Sequence, residues 1–272
     1  MAAFAAAVTA FLLPGFTAAA TGPFGGQALR GRFPGTARPG LVYLPPSFST
    51  ATRYPVVYLL HGMPGSPTEY VDGAGLVSFA DEAVAARLVR PFIAVAPAAG
   101  MDGHYNGEWA GPWERALVDD VVPWVDRRLP TDPEPSSRVL AGLSAGGYGA
   151  VDIGLRNPGL FGTVESWSGY FTPLHDGPFA HAQKATLDAN DPTLLATENA
   201  HELRRAGQRY FLSTGQAHSH WFRPSATLAF AHELRALRIP VALRVFDGAK
   251  GEWHDQLAAG LTWAFGTRPS PS

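Results

Sequence analysis

A serine is the first candidate for chemistry in this chain, because residues 142–146 read Gly-Leu-Ser-Ala-Gly around Ser144. The pattern Gly-x-Ser-x-Gly is typical of a nucleophile elbow, a strand-to-helix turn so tight that only small residues fit beside the serine. An apolar stretch at 138–141 precedes it, and a helical pattern follows. A Gly-rich turn without chemistry is the alternative, and this context favours a nucleophile.

A serine hydroxyl is inert at neutral pH and needs a base within hydrogen-bond reach. On a serine elbow of this kind the chain order is serine, acid, histidine, and the histidine follows the last strand. His254 is the histidine of this chain that lies between the final apolar run, 241–246, and the final apolar helix. We therefore predict His254 as the general base; an exposed loop histidine is the alternative.

The oxyanion of a tetrahedral intermediate requires two backbone N–H donors. Ala145 follows the serine and supplies one. The turn after the first central strand reads His-Gly-Met from His61, and Met63 is our candidate for the other. His61 precedes the turn, so we expect it to be structural.

Aromatic residues could line the substrate pocket. Tyr105 and Trp109 lie in a Gly-rich loop at the expected mouth of the site, and ordinary surface packing is an equal alternative. Trp221 follows His218 and His220, whose side chains would share one direction in an extended segment, as a metal site needs. Because a third ligand is missing nearby in sequence, we expect pocket lining and no metal.

The elements that must position these residues alternate between apolar runs and helical patterns from residue 40 onward, which predicts an α/β fold with a mostly parallel sheet and helices on both faces. Strands are expected at 41–44, 54–60, 92–96, 138–141, 162–167, 209–213 and 241–246. Helices are expected at 76–89, 114–129, 146–155, 224–237 and 255–265.

The bulk composition fits one domain, with 272 residues of which 46% are hydrophobic. Charged residues make up 16% and the net charge is −2, so a nucleic-acid interface is not expected. The absence of cysteine excludes thiol catalysis and disulfides.

The first charge is Arg30, and residues 1–30 are predicted to be an apolar leader. It would be a signal peptide ending near residues 18–20 or the remnant of a membrane anchor, although a positive start is missing. A location outside the cytoplasm is favoured over a disordered cytosolic leader. A single domain is expected over 31–267, with a lid-like insertion at about 169–207 and a tail at 268–272.

Four longer stretches carry a family resemblance. They are the run from Tyr54 to Gly65, the Trp-Glu pair at 113–114, the Gly-rich stretch 142–147, and Trp-Ser-Gly-Tyr-Phe at 167–171. From about residue 41 to 265 the chain resembles the esterase D and mycolyltransferase (antigen 85-type) group of α/β-hydrolases. The resemblance implies ester hydrolysis or acyl transfer by Ser144 and His254, without a cofactor, and often an extracytoplasmic location.

The chain departs from that family at the acid of the triad, which the resemblance places just after the next-to-last strand. That turn, 213–221, contains no carboxylate, and neither Asp nor Glu occurs between Glu202 and Glu233. Three alternatives stay open: Ser219 or a backbone carbonyl orients His254 in a dyad, activity has been lost, or another loop supplies the acid. The candidate acids are Asp247, which comes first because it ends the last strand, then Glu252 and Asp176.

Two functions are therefore expected from the sequence. The first is a serine carboxylesterase or acyltransferase acting on a small-molecule, lipid or glycan ester. The second is a weak or inactive member of the fold that binds a surface glycan, lipid or protein. A membrane tether through the N-terminal segment is a possible partner interaction for either.

Overall fold

A computed structural model describes residues 13–100, 108–216, 223–247 and 253–267. These residues form a nine-stranded sheet with the order β1-β2-β3-β5-β4-β6-β7-β8-β9. The strands β1 to β3 and β5 are joined by antiparallel pairings, and from β5 through β4 to β9 every pairing is parallel. The strands are β1 (Thr17–Thr21), β2 (Gln27–Arg32), β3 (Pro39–Leu44), β4 (Val56–Leu60), β5 (Ile93–Ala96), β6 (Arg138–Leu143), β7 (Thr163–Trp167), β8 (Arg209–Gly215) and β9 (Val241–Phe246).

Helices cover both faces of this sheet. On one face lie α1 (Glu69–Asp72), α2 (Leu76–Ala85) and α10 (Trp253–Phe265). The other face packs against α3 (Pro112–Arg115), a π-helical stretch (Ala116–Val121), α4 (Val122–Arg128), α5 (Ala145–Arg156), α7 (Pro192–Glu198), α8 (Ala200–Ala206) and α9 (Pro224–Ala236). A short helix, α6 (Lys184–Asp188), and two 3₁₀ turns, Pro135–Ser137 and Gly177–Phe179, complete the described elements.

The central strand β4 shows why this layering forms. Its five residues are all buried, with Tyr58 and Leu60 in the core of one face and Val57 and Leu59 in the core of the other. Successive side chains of a strand point to opposite faces, so a continuous apolar run requires cover on both. The predicted α/β fold with a mostly parallel sheet is confirmed.

The N-terminal part of the sheet corrects the predicted leader. Residues 17–21 and 27–32 form β1 and β2, which pair with each other and with β3, so the domain begins well before residue 31. Asp81 of α2 is fully buried and ties this hairpin down: it accepts hydrogen bonds from the backbone N–H groups of Phe24 (2.9 Å) and Gly26 (3.0 Å) and from the Tyr43 hydroxyl (2.8 Å). Residues 1–12 and the tail 268–272 lie outside the described residues.

Aromatic side chains fix the segment before β1. Phe16 stacks on Trp124 with ring centroids 5.7 Å apart and meets Phe33 edge-on at 5.2 Å. Leu13 is fully buried in the same core. The boundary predicted at residue 30 between an apolar leader and the domain is therefore wrong, because Leu13 and Phe16 already pack against the domain core.

The predicted insertion at 169–207 also needs correction. Its second half forms α7 and α8, whose Leu195 and Leu203 are buried in the main core, so it is part of the helical layer. The irregular part is confined to residues before about 191. Within the described ranges, no helix is both long and apolar enough to span a membrane.

Candidate active site

Ser144 occupies the bend between β6, which ends at Leu143, and α5, which begins at Ala145. Its backbone has φ 53° and ψ −115°, a conformation that side chains with a Cβ rarely adopt. The backbone N–H of Ser144 donates to the Trp167 carbonyl at 2.9 Å, and its carbonyl accepts from the Tyr148 N–H at 3.0 Å. The residue is half-buried. This is the geometry of a strained strand–serine–helix turn.

The glycines of the motif are required by close backbone approach. A Cβ built on Gly142 would collide with the backbone of Gly146, and one built on Gly146 would collide with the Leu60 carbonyl oxygen. The turn is therefore pressed against its own helix and against the end of β4. The pattern predicted from sequence thus has its physical reason in sterics.

Backbone donors lie beside the serine. Ala145 is the first residue of α5, and the first N–H groups of a helix have no intrahelical acceptor. A Cβ on Gly62, in the turn after β4, would lie 3.5 Å from the Ser144 Cβ. Met63 follows Gly62 directly, so both predicted oxyanion donors belong to segments that meet at Ser144.

His61 is buried beneath this turn and is bonded on both ring nitrogens. Its Nε2 accepts from the Ala99 N–H at 3.0 Å, which leaves Nδ1 to donate to the Gly62 carbonyl at 2.8 Å. Burial lowers the pKa of His61 to about 4, so the ring is neutral at neutral pH. The expectation that His61 is structural is confirmed.

Trp109 corrects a predicted substrate contact. The side chain is 1% exposed, and its Nε1–H donates to the His61 carbonyl at 3.0 Å. Its ring also meets the His61 ring edge-on at 5.2 Å, and a Cβ on Gly149 would collide with it. Trp109 therefore supports the turn from below and has no surface to offer a substrate. The other two predicted substrate contacts, Tyr105 and Trp221, lie outside the described residues.

His254 lies in the first turn of α10, at the same edge of the sheet. A Cβ built on Gly75 would be 3.0 Å from its Cδ2 and 3.7 Å from its Nε2, so the ring rests on Gly75. Its Nδ1 is 3.4 Å from a carboxylate oxygen of Asp255, and its side chain is 55% exposed. The adjacent Trp253 lies near Gly62: a Cβ built on Gly62 would be 3.9 Å from the Trp253 ring and 3.5 Å from the Ser144 Cβ. His254 and Ser144, both among the described residues, are not hydrogen-bonded to each other in this arrangement.

The candidate acids occupy different places. Asp247 is exposed at the end of β9 and accepts from the Gln216 Nε2 at 2.7 Å. Asp176 is hydrogen-bonded to Glu108. Within the part of the chain that the structure describes, it makes no contact with His254. Asp255, which the sequence analysis did not consider, is the carboxylate nearest to Nδ1 in the described part. Glu252, Ser219, His218 and His220 lie outside the described residues.

A buried carboxyl group under the irregular segment was also missed. Glu108 is fully buried and accepts from the Tyr170 hydroxyl at 2.7 and 2.8 Å. Burial raises the pKa of Glu108 to about 9, and a hydrogen bond with Asp176 adds to the shift. Glu108 is thus held protonated at neutral pH and joins its own loop to the segment after β7 that carries Tyr170 and Asp176. In the sequence it looked like an ordinary loop acid, because its partner residues are more than sixty positions away.

Comparison with known protein families agrees with this architecture. A family model described as "Putative esterase" matches residues 33–264, most of the chain. The chain belongs to this esterase family. The predicted resemblance to esterase D-like enzymes is confirmed by this match.

Two of the curated relatives illustrate how this chain matches part of longer proteins. A protein of Xylanibacter ruminicola named endo-1,4-beta-xylanase/feruloyl esterase is 35% identical over 133 residues, covering 44% of this chain and 18% of the relative. An esterase of Mycobacterium tuberculosis is 32% identical over 138 residues, covering 48% of this chain and 29% of the relative. The chain therefore spans less than a third of each relative.

Solved structures with the same architecture show the α/β-hydrolase fold. A ferulic acid esterase superposes with a TM-score of 0.73 at 23% identity, covering 88% of this chain and 92% of the other. An S-formylglutathione hydrolase from Agrobacterium tumefaciens gives 0.69 at 19% identity, with 92% and 96% covered. A fluorophosphonate-binding serine hydrolase from Staphylococcus aureus gives 0.70 at 18% identity, with 88% and 97% covered.

Proposed function

We propose that this member of the esterase family is a serine esterase that cleaves carboxylic esters through an acyl-enzyme on Ser144. The observation that carries the proposal is the backbone of Ser144, held at φ 53° in a turn whose glycines cannot carry a side chain. Strain of this kind persists only where the surroundings enforce it, and it presents a hydroxyl at the edge of a sheet.

In the proposed acylation step, Ser144 Oγ attacks the ester carbonyl while His254 Nε2 takes the hydroxyl proton. The Oγ–C bond forms and the carbonyl π electrons move to oxygen. The N–H groups of Ala145 and Met63 stabilise this oxyanion. The tetrahedral intermediate then expels the alcohol, which receives the proton from His254.

The acyl group leaves Ser144 by the reverse chemistry. Water, or an acceptor alcohol in the case of transfer, gives a proton to His254 and attacks the acyl carbonyl. The products are a carboxylic acid, or a new ester, and the restored serine. None of these steps uses a cofactor or a metal ion.

The exposed position of His254 fits a free enzyme. Catalytic hydrogen bonds are often long in the absence of substrate and tighten in the Michaelis complex. In our proposal, when an ester occupies the turn, the imidazole moves away from Gly75 and directs its Nε2 toward Ser144. The Gly62 surface between Ser144 and Trp253 is then the floor that the substrate contacts.

A fluorophosphonate probe tests the proposal. Wild type is expected to be labelled at Ser144, while Ser144→Ala abolishes labelling and His254→Ala slows it by at least about 10³-fold. His232→Ala, a substitution of an exposed histidine on α9, is the matched control and should label like wild type. An unlabelled wild type would support the alternative, a non-enzymatic binding protein.

A short panel of substrates tests the proposed substrate class. p-Nitrophenyl acetate, methyl ferulate and S-formylglutathione represent a simple ester and the substrates suggested by the names of similar proteins. We propose carboxylic esters as the class, so turnover of at least one oxygen ester is expected. Turnover of the thioester without any oxygen ester would contradict this part of the proposal.

We also propose a location outside the cytoplasm, either secreted or membrane-anchored, on the basis of the uncharged N-terminal segment. Fractionation of cells that carry a C-terminally tagged full chain tests it. Recovery of the tagged protein in the cytosolic fraction would contradict the proposal.

A further inference from the structure

A glutamine is buried two residues after His254, on the inner side of α10. Gln256 is fully buried, and its side chain makes two short hydrogen bonds. Its Nε2 donates to the Ser168 hydroxyl at 2.8 Å, and its Oε1 accepts from the Ser213 hydroxyl at 2.6 Å. The first turn of the helix is thereby bonded to β8 and to the residue that follows β7.

The two serines sit at the carboxyl edge of the sheet, next to the nucleophile. Ser168 directly follows β7, and its N–H donates to the Ser213 carbonyl in β8 at 2.8 Å. The preceding residue, Trp167, supplies the carbonyl that binds the Ser144 N–H. A continuous set of hydrogen bonds therefore runs from the backbone of Ser144, through the end of β7, to the helix that carries His254.

One turn further along α10, Gly260 sets how closely the helix approaches the sheet. A Cβ at this position would collide with the Glu165 carboxylate and lie 2.7 Å from the Trp167 Nε1. The helix is pressed against β7 at Gly260, and at Gln256 it is bonded to β8 and to Ser168, which follows β7. Two contacts one turn apart define both the rotation and the axial position of a helix, and hence the place of His254 in its first turn.

We infer that Gln256 is a positioning residue for the reaction: its bridge between Ser168 and Ser213 sets the reach of His254 toward Ser144. This inference rests on the proposed function. The sequence supports this role, because the turn 213–221, where the family resemblance places the acid, contains no carboxylate and contributes a serine hydroxyl to this bridge.

The test compares two esters of one acid that differ in the leaving group. An alkyl alkoxide must be protonated by the imidazole as it leaves, whereas p-nitrophenolate leaves without a proton. A displaced His254 therefore slows the alkyl ester more. For Gln256→Met, which keeps the side-chain volume and removes the bonds to Ser168 and Ser213, we expect kcat/KM for the ethyl ester to fall at least about tenfold more than kcat/KM for the p-nitrophenyl ester.

Gln208→Met is the matched control. Gln208 is also fully buried and bonded, to the Gly154 and Phe161 carbonyls, but it lies at the opposite end of β8 from the site. Both variants lose buried hydrogen bonds and some stability, so rates are normalised to the fraction of sites that a fluorophosphonate titrates. The control should leave the ratio of the two ester rates as in wild type.

The outcomes separate the two proposals. If Gln256→Met lowers both rates equally, in the manner of Gln208→Met, Gln256 is structural and the inference is overturned while the esterase stands. If Gln256→Met does not fold, Ser213→Ala, which removes one bond of the bridge, must shift the ratio in the same direction. A wild type without label or turnover overturns the proposed function and this inference together.

Discussion

The Ser144 N–H and the Trp167 carbonyl form a 2.9 Å hydrogen bond that attaches the reactive turn to the neighbouring strand. The bond involves only backbone atoms. Substitutions of the Ser144 side chain therefore leave both partners of this bond in place.

Removing the Cβ of Ser144 should stabilise the protein relative to removing only the hydroxyl. A non-glycine residue in a sparsely populated backbone region costs on the order of 1–3 kcal/mol. Glycine removes this cost, but part of the gain is lost because glycine has more conformational freedom in the unfolded chain. We expect Ser144→Gly to be roughly 1 kcal/mol more stable than Ser144→Ala in urea unfolding, with neither variant active. Equal stability of the two would contradict the strain described at φ 53°.

A methyl group at Gly146 should disrupt the turn. It would collide with the Leu60 carbonyl, and overpacking of this kind costs about 1–3 kcal/mol. Gly146→Ala is expected to lose esterase activity by at least about 10²-fold, because a shift of the serine by 1 Å is sufficient. Gly159→Ala is the control, since its added Cβ meets nothing within 4 Å. Full activity in Gly146→Ala would show that the close approach is not needed.

Buried His61 should make stability depend on pH. Its pKa is about 4 in the folded chain and 6.5 when unperturbed, so the unfolded chain takes up a proton first as pH falls. The stability it confers is complete above pH 6.5 and is lost progressively down to pH 4, by roughly 3 kcal/mol. His61→Gln, which can keep both hydrogen bonds without titrating, should lack this component. The measurement is the difference between the two proteins in urea unfolding at pH 7 and pH 5, and an identical pH dependence would contradict it.

Replacement of the predicted acid tests the third member of the site. If Asp247 orients His254, Asp247→Asn should lower kcat by about 10²- to 10⁴-fold with little change in KM. Asp255→Asn is the companion variant, because Asp255 is 3.4 Å from the imidazole Nδ1 in the free protein. A loss confined to Asp255→Asn would transfer the role to that residue, and full activity in both would favour a dyad.

Much of the fold could be predicted because the parallel strands are continuous apolar runs. Each of the seven predicted strands exists, with bounds shifted by no more than about two residues at either end. The strands β1 and β2 were missed since they are rich in Ala, Gly and polar residues and lie at the sheet's edge. Their stability depends on distant partners, such as Asp81 and Trp124, which no local pattern reveals.

The residues of the candidate site also fall into two groups: those predictable from local sequence and those that depend on distant contacts. The Ser144 turn and the structural role of His61 follow from local sequence, because sterics and chain order dictate them. The burial of Trp109 and the bridge of Gln256 depend on contacts between residues far apart in sequence. A glutamine on the apolar stripe of the last helix, with Leu257 and Leu261, was the available signal that a buried polar partner had to exist.

The pairing of β1 has a consequence for export. The small residues at 18–20, where a signal peptidase would be expected to cut, lie inside a strand that is hydrogen-bonded to β2. Processing at that point would strip one strand from the margin of the sheet and uncover the row of N–H and C=O groups on β2. In the intact chain β1 is itself the edge strand, so processing would move the exposed edge to β2, which would then be open to pairing with a second molecule.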